Sequence, residues 1–261
     1  MGAGQKRPYY SAYDQRYRSV YEQGVTYWTS HPDELAAVAA DVSAFLSHFG
    51  ILELASSMPS VSGPKLIEFG CGEGYVGGLL AGHGLDYTGV DIASAAVAKA
   101  RERLAPFGAR ARVVVGDLLD DDLLPEGQFD AAIDVMCFHM LVSDEDRRHY
   151  LANAFRWLSP GAPMLFSREA HRTDAHAGPV ASYDEWVQLT GVDLQTPQER
   201  EAWEAGRPVK VKLPLLAARP RSVDQYQAEA KAAGFEFHEA HLPQDNSNWV
   251  SFWVRKPSRR A

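Results

Sequence analysis

The segment Leu66-Ile67-Glu68-Phe69-Gly70-Cys71-Gly72-Glu73-Gly74-Tyr75-Val76-Gly77 constrains this chain more than any other. Lys65–Phe69 reads as a short buried strand, and the glycines after it turn the backbone sharply into a helix running through about Leu80. Glycines in such a turn admit positive φ and leave bare backbone for a ligand to approach. In an open α/β sheet, nucleotide-like ligands bind at this C-terminal edge of the strands. Gly72-x-Gly74-x-x-Gly77 matches the dinucleotide fingerprint, and Asp91 lies 19 residues beyond Gly72, near the expected ribose-binding acid. Against a pyrophosphate stands Glu68, two residues before the first glycine. A carboxylate there opposes an anionic ligand and suits a cationic one.

The surrounding sequence alternates strand and helix from 65 to 167. Asp86–Asp91, Ala111–Val115, Phe129–Val135 and Pro163–Ser167 read as further strands, with helices over Ser94–Leu104 and Asp144–Leu158. Apolar strands separated by helices predict a parallel sheet covered on both faces. The rhythm breaks over the 54 residues Arg168–Arg221, a length that marks a functional insertion. Helical pieces are expected there at Tyr183–Leu189 and Pro197–Ala205, and a strand at Val209–Leu213. A helix over Val223–Ala233 precedes two strands, Phe235–His241 and Trp249–Arg255, whose short connector predicts an antiparallel hairpin. The expected fold is therefore α/β, a Rossmann-like doubly wound sheet, mostly parallel and closed by that C-terminal hairpin.

Upstream, Tyr10, Tyr13, Tyr17 and Tyr21 recur at helical spacing, with Tyr9, Tyr27 and Trp28 nearby. Such a helix lays an aromatic face on the domain, and the same rings can cover a ligand as a lid. A second helix starts at Pro32, with Leu35, Val38, Val42, Phe45, Leu46 and Phe49 forming its stripe and Gly50 its stop. Ser56–Pro64 is a connector. The expected division is an N-terminal aromatic and helical cap over 1–50 and a main domain over 51–261, carrying a substrate-side insertion at 168–221.

Composition narrows the partners. Lys and Arg number 26 against 34 Asp and Glu, a net charge of −8, which disfavours sequence-independent nucleic-acid binding. The basic tail Arg255, Lys256, Arg259 and Arg260 reads as an aid to solubility. Cys71 and Cys137 cannot build a disulfide framework or a four-ligand zinc site, which fits a reducing compartment. No signal-peptide run or spanning stretch of ~18–20 apolar residues occurs, so a cytoplasmic protein without membrane partners is expected.

In order along the chain, Glu68-x-Gly70-x-Gly72-x-Gly74, Asp91, Gly116-Asp117, Phe129-Asp130-x-x-x-Asp134 and Leu158-Ser159-Pro160-Gly161 resemble the motifs of class I S-adenosylmethionine-dependent methyltransferases. The resemblance covers residues 65–255, and the closing antiparallel strand pair is similarly a family feature. It implies S-adenosylmethionine as cofactor, leaving as S-adenosylhomocysteine, with the donor's positive charge suited to Glu68. The residues implied to hold it are Glu68, Gly70, Cys71, Gly72, Gly74, Asp91, Ile92, Asp117, Leu118 and Asp134, with Asp91 on the ribose hydroxyls and Asp117 at the adenine. Asp134 points either at the cofactor's methionine part or into the helix layer. Pro160-Gly161-Ala162 departs from the more usual Pro-Gly-Gly. The fourth strand lacks the Asn-Pro-Pro-Tyr or Asp-Pro-Pro-Tyr ending of enzymes acting on flipped bases or glutamine side chains.

The acceptor's chemistry decides whether a base is needed, since a hydroxyl must lose a proton and a thioether need not. His139, Glu169 and His171 follow strands four and five and are the candidate catalytic groups. Tyr17, Trp28, Arg168 and Arg219 are candidate acceptor contacts, because arginine pairs with carboxylates and aromatic rings give contact area. The histidines show no metal-ligand spacing, and no metal is expected. A small polar metabolite, amino-acid-like and methylated on O, N or S, is the expected acceptor. A protein or peptide methyltransferase and a non-catalytic cofactor-binding module are the alternatives.

Overall fold

The computed structural model describes residues 8–28, 31–57, 63–194, 196–242 and 248–258. Arg259 and Arg260 of the basic tail, and residues 58–62 of the expected connector, lie outside the described residues. In chain order the elements are α1 Ala12–Glu22, α2 Pro32–His48, α3 Ile51–Ser57, β1 Lys65–Phe69, α4 Tyr75–Gly82 and β2 Asp86–Asp91. Then come α5 Ser94–Leu104, β3 Ala111–Val115, β4 Ala131–Val135, α6 Asp144–Trp157 and β5 Pro163–Ala170. The insertion supplies α7 Tyr183–Thr190, β6 Gln198–Glu204 and β7 Arg207–Leu213; α8 Val223–Ala232, β8 Glu236–His241 and β9 Trp249–Arg255 close the chain.

Seven strands form one sheet in the order β3-β2-β1-β4-β5-β9-β8. The first five run parallel, and β9 runs antiparallel to both β5 and β8. This is the expected Rossmann-like, doubly wound sheet with an antiparallel C-terminal pair, and its strand order reverses between β1 and β4. A crevice opens beyond the C-terminal ends of these strands, where an α/β sheet receives its ligand.

Strand periodicity explains why both faces are buried. Along β1, Ile67 and Phe69 face a core shared with Trp157, Phe166 and Phe252, whereas Leu66 faces one shared with Val97, Ile133 and Leu165. Side chains alternate across a strand, so Glu68 falls on the Leu66 side. Helix α2 belongs to that second core, where Val38, Val42, Phe45 and Leu46 pack with Leu66 and Leu165. A boundary drawn after residue 50 therefore cuts through one continuous apolar core; only α1 and its flanks stand outside it.

Two sequence expectations change. Pro197–Ala205, read as helical from its Glu and Arg content, is instead strand β6, paired residue for residue with β7 from Gln198↔Leu213 to Glu204↔Arg207. Ala205 and Gly206 both take positive φ, 50° and 75°, the backbone of a two-residue hairpin turn. Burial of Ala202, Val211 and Leu213 against Val20 and Val25 outweighs the helical propensity of the polar residues. Strand β5 also runs beyond Ser167 to Ala170, with a register break between Phe166 and Glu169. Among the described residues no helix is long and apolar enough to cross a membrane.

Phe45 is fully buried in the α2 core. Phe45→Ala is expected to lower unfolding stability by about 3–5 kcal/mol in urea denaturation, as for a core phenylalanine. A change under about 1 kcal/mol would mean that α2 is a detachable cap.

Candidate active site

A cavity of about 930 Å³ lies over the C-terminal ends of β1, β2, β4 and β5 and is roofed by α1 and the insertion. Its floor on the β1–β2 side is acidic and built from backbone turns. Glu68 is buried and accepts a hydrogen bond from Tyr87 Oη at 2.5 Å. Burial, with Asp91 and Asp134 adding to it, raises its pKa to about 8 although Tyr87 acts against the rise. Asp91 accepts from the backbone N–H of Gly72 and of Ala93, both at 2.8 Å. Burial raises its pKa to about 6, opposed by those two donors.

The glycine turn between these acids has left-handed backbone, with φ of 68° at Gly70 and 48° at Gly72. A Cβ on Gly72 would come within 2.8 Å of Tyr17 Oη, so the turn and the roof leave no room for a side chain. Cys71, Ile92, Asp117 and Leu118 complete this side of the wall. Cys71 is buried, which pushes its thiol well above the ordinary value and makes it a small packing residue rather than a nucleophile.

Helix α1 is held over this floor by polar bonds to the same region. Tyr10 donates to Asp117 Oδ2 at 2.9 Å and Tyr21 to Glu73 Oε1 at 2.8 Å, while the Trp28 N–H reaches that same oxygen at 2.8 Å. Asp14 accepts from the Ala95 N–H at 2.8 Å and the Ser94 hydroxyl at 3.0 Å, fastening α1 to the first turn of α5. The aromatic stripe read from the sequence thus packs and covers at once, and Tyr17 and Trp28 both stand on the cavity wall.

On the β4–β5 side the wall changes character. His139 sits in a single 3-10 turn, Phe138–Met140, just past β4. Its backbone N–H and Nδ1 both face Glu169 Oε2, at 2.7 and 2.9 Å. Burial holds the imidazole pKa down to about 4, so the ring is neutral. A carboxylate oxygen on Nδ1 assigns the proton to that nitrogen and leaves Nε2 with its lone pair. Behind the ring, Asp134 and Glu169 are both fully buried and both have raised pKa values, from burial first and, for Asp134, also from the adjacent Glu169. Burial and their proximity both favour the protonated form of these carboxyls over two adjacent charges. Asp134 also receives Tyr150 Oη and the Cys137 N–H, the latter at 2.9 Å.

Several expected site residues stand elsewhere. Asp134 points into the helix layer against Tyr150 on α6, off the cavity wall, because Phe138 and Cys137 close over it. Glu169 likewise reaches the cavity only through His139. A Cβ on Gly74 would meet Ala100 at 3.0 Å and Leu104 at 3.1 Å, so this glycine lets α5 pack closely and lies off the cavity wall. His171 is buried beside Arg221 in a backbone bridge between the end of β5 and the start of α8, away from the cavity wall. Arg219 is consumed structurally, donating to the Val142 carbonyl at 2.8 Å, Asp144 at 2.6 Å and the Gly178 carbonyl at 3.2 Å. Arg168, by contrast, is on the wall, beside Trp249.

The cavity also holds residues the sequence did not single out for it: Tyr13, Arg16, Arg200, Trp203 and Trp249. Tyr13 belonged to the visible stripe. Trp203 and Arg200 were hidden by reading β6 as a helix, whose face cannot be predicted from the wrong period. Trp249 opens a strand and carried no signal to separate it from core.

Comparison with known proteins agrees with this geometry. Residues 66–161 match the family model described as a methyltransferase domain. The ribosomal RNA small subunit methyltransferase C of Alcanivorax borkumensis is 35% identical over 103 residues, 38% of this chain and 30% of that protein. The ubiquinone biosynthesis O-methyltransferase of Pseudomonas fluorescens is 30% identical over 110 residues, 41% of this chain and 45% of that protein. The chain thus spans less than half the length of each of these two relatives. Among solved structures, the 1,6-didemethyltoxoflavin-N1-methyltransferase of Burkholderia thailandensis, with its substrate and S-adenosylhomocysteine bound, superimposes with a TM-score of 0.65 at 17% identity. That likeness covers 99% of this chain and 94% of the other, and at such identity it is a likeness of fold. The family match thus falls on residues 66–161, the stretch that carries the glycine turn, the point where the strand order reverses and the turn before β5.

Proposed function

We propose that this chain transfers a methyl group from S-adenosylmethionine to a small polar acceptor enclosed beneath α1 and the β6–β7 hairpin. One observation carries the reading: the acidic glycine cradle and His139, a neutral imidazole oriented by a carboxylate on Nδ1, line the same cavity. The residues fit the cofactor. Glu68 and Asp91 are buried acids on a floor of exposed backbone, as a ligand with a cationic donor group and ribose hydroxyls requires. When bound, S-adenosylmethionine supplies the electrophilic methyl carbon. Glu68 would answer its cation, Asp91 would hold ribose hydroxyls, and Asp117 with Leu118 would border the base. A tyrosine-roofed chamber and a net charge of −8 favour a metabolite over nucleic acid as acceptor.

The remaining work is positioning and displacement of water, to which α1 and the β6–β7 hairpin over the cavity contribute. Where the acceptor must lose a proton, His139 Nε2 receives it. Glu169 orients the ring, and the acids behind it offset part of the cost that burial sets on the imidazolium so formed.

Titration calorimetry with S-adenosylmethionine tests the cradle. Glu68 holds its proton up to about pH 8, and a bound cation favours the carboxylate. Binding at pH 7 should therefore release protons, detected as a dependence of the observed heat on buffer ionisation enthalpy. Affinity should rise between pH 6 and 8. Absence of binding at millimolar ligand by the folded protein would refute the reading.

For an acceptor that loses a proton, His139→Gln should lower kcat by about 10²–10⁴-fold and leave S-adenosylhomocysteine affinity unchanged. A thioether acceptor would show no such loss. By NMR the His139 ring should remain neutral from pH 8 to 5 and protonate only as pH falls toward 4. An unfolded histidine titrates near 6.5. The buried neutral ring therefore contributes stability that is full above about pH 6.5 and is lost as pH falls through 4.

A further inference from the structure

Arg168 has three properties that rarely coincide. It is a non-glycine residue with φ of 56°, it lies in the register break of β5, and its side chain is 8% exposed on the cavity wall. Left-handed backbone costs a residue with a Cβ roughly 1–2 kcal/mol, so it persists only where surrounding structure imposes it. Here the imposing contacts are visible. The Arg168 N–H donates to Ser251 Oγ at 3.0 Å, and Ser251 Oγ donates to Asp41 Oδ2 of α2 at 2.6 Å. The same Asp41 oxygen receives Ser167 Oγ at 2.6 Å. One carboxylate from α2 thereby pins both β5 and β9 where the strand register slips.

The product of that arrangement is an arginine without an anionic partner. Arg168 Nε is buried and makes no hydrogen bond, and no carboxylate among the described residues pairs with its guanidinium. Its one recorded side-chain neighbour is the Trp249 ring, 5.7 Å from the guanidinium carbon, and that ring also lies 5.8 Å from His139. Arg147, Arg219 and Arg221, also buried, each have a carboxylate. A buried guanidinium left unpaired is costly unless something enters to pair with it. The buried acids of the cavity, Glu68, Glu73 and Asp91, stand over β1 and β2 and their turns. Strand β5 is two strands away from β1, about 10 Å at the usual interstrand spacing. Asp33, Glu34 and Glu201 of the wall are exposed or half-exposed.

We infer that the methyl acceptor carries a carboxylate, bound in the plane of the Arg168 guanidinium, with the acceptor's apolar body against Trp249 and its reacting atom toward His139. This rests on the methyl-transfer reading above and adds the acceptor's class to it. The cavity is then polarised, negative where the cationic donor sits and positive where the anionic acceptor sits, so neither ligand is drawn to the other's place. Arg168 is the residue that selects; Asp41 and Ser251 are positioning residues that set its backbone.

Benzoate and its uncharged isostere benzamide test this on protein saturated with S-adenosylhomocysteine. The readouts are calorimetry and the Arg168 Nε–H resonance in ¹H–¹⁵N spectra. Benzoate should bind at least tenfold more tightly than benzamide and move the Nε–H signal saturably. Arg168→Gln should abolish the preference without altering S-adenosylhomocysteine affinity. Ser251→Ala should weaken benzoate alone. Equal affinity for the two probes, no saturable shift, or a preference that survives Arg168→Gln would each overturn the inference. Should Arg168→Gln fail to fold, the shift in the unaltered protein still decides. Failure of S-adenosylhomocysteine itself to bind would instead remove the methyl-transfer reading.

Discussion

Negative charge buried at the point where the strand order reverses is the constraint around which this molecule is arranged. Glu68, Glu73 and Asp91 are all nearly inaccessible to solvent. Removing a carboxylate from water is expensive unless donors replace it or a proton neutralises it. The fold uses both remedies. Asp91 takes two backbone N–H groups, Glu73 takes Tyr21 and the Trp28 N–H, and Glu68 takes Tyr87 while retaining its own proton near neutrality. The roof helix is therefore tied down by the acids that form the floor.

The opposite wall is arranged by backbone strain. Met136 and Arg168, at the C-terminal ends of the adjacent strands β4 and β5, both hold left-handed backbone, with φ of 57° and 56°. The Met136 N–H is anchored to the Ser167 carbonyl at 3.0 Å, and the Arg168 N–H to Ser251. Strain placed at neighbouring strand ends, each end fixed by a bond from outside, holds two side chains in directions that regular strands would deny them. The register break in β5 does the same for Glu169. After it, Glu169 lies beneath His139 and Arg168 faces the cavity, although the two are consecutive.

The glycine-turn side of the cavity was legible because it is built from backbone. A sharp turn with left-handed backbone needs glycine, and acids at fixed offsets from it are visible in sequence, so the spacing pointed to Glu68, Gly72 and Asp91, all of which line the cavity. The β4–β5 side depends on tertiary position. Nothing in the local sequence distinguishes Arg168, on the cavity wall, from Arg219, locked onto the Val142 carbonyl and Asp144. His139 and His171 follow adjacent strands in similar positions, yet only the first faces the cavity. The β6–β7 hairpin was misread for a related reason: its residues favour helix locally, and the contacts that overrule them, Ala202 and Val211 on Val20, come from distant parts of the chain.

The pair Asp134 and Glu169 shows why a buried acid off the cavity wall still bears on chemistry. Burial beside Glu169 holds Asp134 toward its protonated form, and Glu169 Oε2 is committed to two N–H groups of His139. That commitment fixes both the ring's orientation and its tautomer, since the opposite tautomer would set a lone pair against the carboxylate oxygen. Removing the negative charge would leave the imidazole neutral but free to turn. Ionising both acids would place two charges side by side in the core, so the carboxyl that holds the ring sits within a layer packed by Tyr150 and Phe138 and bonded to Asp134.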